Sequence, residues 1–147
     1  GGSSAPGGSA PVVKGSTPSP VAAAAVVSRS LRGVKHSGIV VRFSVNEQVA
    51  GHIEVLLDRA LAHRLGISGA PAVGLPAGSA PAVVIGKALL ITSKGGRSTT
   101  VVQLSKRTIA RLQRMPKVTL MLRLSVRNAD PHAPTTSTLL SVFTLSR

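Results

Sequence analysis

The residues able to do chemistry in this chain are few, and their spacing is unhelpful for catalysis. Its 147 residues contain four acids, Glu47, Glu54, Asp58 and Asp130, four histidines and no Cys. Glycoside hydrolysis needs two carboxyl groups flanking one bond. Glu54 and Asp58 are instead read as an exposed strand residue and a helix N-cap. A Ser-His-Asp set could be assembled from the many serines and His36, His52, His63 or His132, but no Gly-x-Ser-x-Gly elbow is present. His63 is expected on a basic helix surface and His132 in a solvated, Pro-flanked turn. No His-x-x-x-His or His-Glu-x-x-His spacing occurs, and four scattered acids cannot build a calcium site. Ile85-Gly86-Lys87 lacks the preceding glycine of a P-loop. The chain is therefore read as non-enzymatic, with no cofactor and no metal.

What remains is charge. Eighteen Lys and Arg against four acids give a net charge of +14, which predicts attraction to nucleic acid, anionic lipid or an acidic wall polymer. Lys106, Arg107, Arg111, Arg114 and Lys117 gather around one short helical segment, Arg59 and Arg64 mark another, and Arg123 and Arg127 are expected on the outer face of a long strand. These nine form a candidate polyanion-binding surface if the helices lie together. The plainer reading is a solvated face that keeps the protein soluble and blunts sheet edges. There is no Trp or Tyr, so stacking on bases or sugars is not expected. Phe43 falls on a core face, and Phe143 is expected to be packed. Any nucleic-acid binding would rest on phosphate contacts and show little sequence preference.

The elements that must position these cations are mostly strands. Ile39, Val41, Phe43 and Val45 alternate with polar or smaller residues, and Ile53, Val55 and Leu57 repeat the pattern after a turn at Asn46–Gly51. These two runs are expected to form a hairpin. Val118, Leu120, Leu122, Leu124 and Val126 share one face of the clearest strand, Lys117–Arg127. Asn128–Pro134 is a turn, and Thr135–Leu145 returns as a closing strand whose shifted alternation suggests a bulge. Val83–Ser93 and Ser98–Leu104 flank Lys94-Gly95-Gly96-Arg97 and read as another hairpin.

Two segments break the alternation. Asp58–Leu65 has an N-cap Asp and a stop at Gly66; Ser105–Met115 has an N-cap Ser and Pro116 beyond its end. They form a pseudo-repeat, Val55-Leu56-Leu57-Asp58-Arg59 matching Val102-Gln103-Leu104-Ser105-Lys106, and are expected to carry the chain between sheets. Ser68–Pro81 reads as an exposed, mobile loop. Residues 1–27 are a Gly/Ser/Ala/Pro-rich flexible tether, with Val21–Val27 open to being linker or first strand, and 28–147 form the folded domain. No apolar run is long enough to span a membrane. The chain starts without Met, which reads as a piece of something longer whose signal sequence could have been lost.

Ile39–Val45, Leu57–Gly66, Gly86–Leu104, Ser105–Leu112, Lys117–Asn128 and Thr135–Leu145 together resemble the immunoglobulin-like or fibronectin-III-like modules of secreted surface proteins from high-GC Gram-positive bacteria. The resemblance covers about residues 38–147. Many such modules carry a Cys pair at the first hairpin, where this chain has Asn46-Glu47-Gln48, and an Asp-Ala-x-Gly turn, where it has Asp130-Pro131-His132. The resemblance implies an all-β, Ig-like antiparallel β-sandwich of about seven strands with two short crossover helices. It also implies a structural or adhesive role, secreted or at the cell surface, and no active site; the basic face adds an anionic wall polymer or a protein as the expected partner. The alternatives are a polyanion or nucleic-acid binder without sequence preference, and a subunit pairing edge strands in an assembly, Thr135–Leu145 being the suspect edge.

Overall fold

The computed structural model describes residues 21–45, 49–91, 96–128 and 136–147. Residues 1–20 of the expected tether, the turn residues 46–48, residues 92–95 with Lys94 and Gly95 of the expected Lys94-Gly95-Gly96-Arg97 turn, and the 129–135 turn with Asp130 and His132 lie outside them. The order is β1 (Val21–Val26), α1 (Leu31–Ser37), β2 (Ile39–Val45), β3 (Val49–Asp58), α2 (Arg59–Leu65), β4 (Ala70–Pro71), β5 (Ala82–Ile91), β6 (Gly96–Val102), α3 (Lys106–Leu112), β7 (Lys117–Asn128) and β8 (Thr136–Ser146). That is one strand and one helix more than the sequence pattern suggested.

Two antiparallel sheets share one core. One is ordered β1-β2-β6, the other β4-β5-β3-β7-β8. Period-two alternation puts Ile39, Val41, Phe43 and Val45 from the small sheet against Ile53, Val55, Leu120, Leu122 and Leu124 from the large one. Leu57, Leu104 and Leu112 add to this core and are buried as well. Phe143 is partly buried against it.

The sheet pairing differs from the expected hairpins. β2 pairs with β1 and β6, never with β3. β5 pairs with β3 and β4, never with β6. The chain thus changes sheets where tight hairpins were expected. Of the two helices expected to cross between sheets, α3 does so, between β6 and β7, whereas α2 joins strands of one sheet. Sequence neighbours with a turn between them need not pair, because a corner between sheets uses the same turn residues as a hairpin. Only β7 and β8 form the expected hairpin. Their register runs unbroken from Lys117↔Ser146 to Arg127↔Thr136, so the suspected bulge in β8 is absent. Leu140 and Val142 simply sit on the outer face.

The Val21–Val27 run provides β1, paired with β2, so strand structure begins inside the 1–27 segment. α1 occupies a basic segment for which the sequence pattern suggested no helix. Its signature is local: Ser30 Oγ caps the Gly33 N–H at 3.0 Å, Leu31 and Val34 are buried one turn apart, and Gly38 stops the helix at φ 76.

A basic pole and a buried ion pair

All three helices lie at one end of the sandwich. β2 starts there at Ile39 beside the end of β6 at Val102. β3 ends there at Asp58 beside the start of β5 at Ala82, and β7 starts there at Lys117 beside Ser146. The two sheets are tied together at this end: the Ser146 N–H donates to the Arg29 carbonyl at 3.0 Å, and Ser30 bridges Ser146. α1 packs on α3. α3 is joined to α2 by Arg111, whose Nη1 donates to the Leu65 carbonyl at 3.2 Å. That carbonyl belongs to the C-terminal turn of α2, where a cation complements the exposed backbone oxygens. Gly66 follows in the left-handed region at φ 72, leaving room for the Arg111 guanidinium where a side chain would collide.

The helices and their flanks bring eleven cations to this pole: Arg29, Arg32 and Lys35 around α1, Arg59 and Arg64 on α2, Lys106, Arg107 and Arg111 on α3, then Arg114, Lys117 and Arg147. All but Arg111 are exposed. Asp58 is the only acid there among the described residues, and its Oδ2 accepts the Leu61 N–H at 3.1 Å as the α2 N-cap. Ser105 caps α3 in the same way, from Thr108 N–H at 3.1 Å. None of the three helices among the described residues carries an acid in its first turn. Arg32, Arg59, Lys106 and Arg107 sit there instead, where each opposes the helix dipole by roughly 0.3–1 kcal/mol. Helix stability does not account for cations in those places.

The pole gathers seven of the nine expected polyanion residues, Arg59, Arg64, Lys106, Arg107, Arg111, Arg114 and Lys117, and separates two. Arg127 lies ten residues along β7 from Lys117, roughly 33 Å away at the usual strand rise. Arg123 is buried, at 8% exposure, and so is its partner Glu54, also at 8%. The expected exposed Glu54 is thus corrected. Both face the outer side of the large sheet, Glu54 opposite Arg123 in the β3/β7 register. The 72–81 segment covers them: Ala72 N–H donates to Ala82 O at 2.9 Å, and the Val73 carbonyl accepts from Arg123 Nη1. The loop expected to be mobile is therefore exposed but pinned. The missed cations, Arg29, Arg32, Lys35 and Arg147, belong to α1 and the chain end packed beside it; the Ser30…Gly38 cap spacing is the signal that could have found the first three.

Beside the ion pair lies an open groove of about 610 Å³, between α2, the 80–82 segment and the outer face of β7 and β8. No group of three His, Cys, Asp or Glu among the described residues could hold a metal, and no helix among them is long and apolar enough to cross a membrane. No protein-family model, curated protein or solved structure matches the chain.

Proposed function

We propose that this chain is a non-catalytic, Ig-like adhesive module of a secreted or cell-surface protein, and that its helical pole holds an anionic wall polymer. The observation that carries this reading is charge segregation: eleven cations meet one acid at a single pole, and that acid is occupied as a helix cap. A convergent field of one sign raises the local concentration of a polyanion and draws it in over several ångströms. Arg and Lys then provide donors for phosphodiester or carboxylate oxygens, Arg in a bidentate fork. A merely solubilising surface needs no such concentration at one end, where the cations repel each other.

Phe43 is buried and Phe143 is half-buried on the core side. Neither offers a face for base stacking, which weighs against nucleic acid read by its bases.

The test is cosedimentation of the chain with purified Gram-positive cell wall across a salt series, with duplex DNA and neutral glycan as comparisons. The Lys106→Glu/Arg107→Glu/Arg114→Glu variant should lose wall binding, while Arg97→Glu/Arg127→Glu, at the other pole, should keep most of it. Equal losses in both variants would overturn the reading. Binding to DNA as tight as to wall, with the same salt slope, would replace it with non-specific polyanion binding. Association that survives high salt and both variants would point instead to pairing through β8, which ends the five-stranded sheet.

A further inference from the structure

The outer face of the large sheet is not uniformly polar. Next to the row that holds Glu54 and Arg123 runs an apolar row, in which Leu56, Met121 and Val142 lie side by side on three adjacent strands. Leu56 is shielded, Met121 half-exposed, and Val142 is 65% exposed. Nothing of the sandwich core requires apolar side chains there, since this face points away from the other sheet. The row forms the floor of the 610 Å³ groove, and Leu61 of α2 and Met115 of the α3–β7 turn form its walls. That volume is within the range of small-molecule sites, roughly 300–1,000 Å³.

Two further features narrow the occupant. The chain has two methionines, and both line this groove. Methionine is unbranched and polarizable, and adapts to flexible apolar chains. Arg64 and Lys117 also line it, while the one acid present, Asp58, is engaged by the Leu61 N–H. The hydroxyls of Thr119 and Thr144 bond to each other at 3.2 Å rather than pointing free into the groove. An apolar floor with cations at the rim is complementary to a tail and an anion in one molecule. A polyanion would leave the floor unused, and a neutral apolar ligand would leave the cations unused.

We propose that this groove binds a free fatty carboxylate, its acyl chain along the Leu56–Met121–Val142 row and its carboxylate at Arg64 and Lys117. The groove shares Arg64 and Lys117 with the basic pole, but the two readings are separable, because Lys106 and Arg107 belong to the pole and lie outside the groove.

The experiment titrates laurate, below its micelle concentration, into the full chain carrying 13C-methyl methionine. Both methionine methyl resonances should shift in a saturable manner, with one laurate bound per chain by calorimetry. Met121→Glu should weaken binding at least about tenfold, because it puts a charge on the apolar floor. Val142→Glu, at an exposed position, should act in the same direction and serves if Met121→Glu fails to fold. Arg64→Ala/Lys117→Ala should weaken laurate but leave dodecyl maltoside unaffected. Lys106→Glu/Arg107→Glu should leave laurate binding intact. The proposal is overturned if neither methionine resonance moves, if acetate shifts them equally, if Lys106→Glu/Arg107→Glu abolishes binding, or if only anionic vesicles bind.

Discussion

Arg123 of β7 and Glu54 of β3 are joined by two contacts to a single oxygen: Nε and Nη2 of the arginine each lie 2.8 Å from Glu54 Oε1. His52 Nε2 approaches the same oxygen at 3.6 Å. The third guanidinium nitrogen holds the Val73 carbonyl. One cation therefore links two central strands to the strap that covers them.

Removing the carboxylate alone should be costly. Glu54→Gln leaves a buried guanidinium without a counter-charge, and breaking such a pair costs about 3–5 kcal/mol. Glu54→Leu/Arg123→Leu removes both charges and should recover most of that loss, although the Val73 carbonyl then lacks its donor. Urea unfolding of the two variants checks this. Hydrogen exchange over residues 72–79 should rise in the double variant, which loses the Arg123 tie. If Glu54→Gln unfolds at the wild-type urea midpoint, the pair is not holding the sheet.

How far the sequence reaches is visible at the same residues. Arg123 was legible as an outward residue of a period-two strand, because alternation fixes the face. Its burial was not legible, because the strap over it has no periodic pattern, only Val73 and Leu75 among Pro, Gly, Ala and Ser. The facing core residues were read correctly for the converse reason: Leu120, Leu122 and Leu124 depend on strand period alone. Strand partners were misread because Gly95-Gly96 and Asn46–Gln48 suit a corner as well as a hairpin. α1 escaped notice because Gly33, Ser37 and β-branched Val34 are weak helix formers, so its caps and the Leu31/Val34 contact carry it. Most of the basic site was legible from clustering, but its assembly at one pole depends on strand directions.

Gly51 tests a close approach. It lies within β3, not in a turn, and a Cβ there would fall 1.9 Å from the Ser125 carbonyl oxygen and 2.7 Å from Val126 Cα. Both are backbone atoms of β7, so relief requires moving a strand rather than rotating a side chain. Gly51→Ala should destabilise by at least the roughly 1–3 kcal/mol typical of overpacking. Thermal denaturation measures it; an unchanged melting temperature would mean that the β3/β7 separation is wider here.

Leu122 sits at the centre of the shared core and is fully buried. Leu122→Ala should cost about 2–5 kcal/mol, from lost burial plus the cavity left behind. Val142→Ala, on the exposed outer face, should stay within about 0.5 kcal/mol of wild type. Parallel urea titrations would show whether the two faces of the β7/β8 hairpin differ as this contrast requires.

Asp58 separates helix capping from the field of the pole. Asn caps as well as Asp does, so Asp58→Asn should leave stability nearly unchanged, whereas Asp58→Ala should lose about 1 kcal/mol. Both remove the single acid among the cations, so both should tighten polyanion binding at low salt. A polyphosphate titration at several ionic strengths reads this directly. The gain should shrink as the Debye length falls from about 10 Å at 0.1 M to about 3 Å at 1 M. Lys106→Gln removes a cation from the same pole and should move affinity the opposite way. It should also lower the slope of log affinity against log salt by about one unit if Lys106 touches a phosphate of duplex-like charge density. An Asp58→Asn variant with wild-type affinity at every ionic strength would place the polyanion away from α2, on the α1–α3 side of the pole.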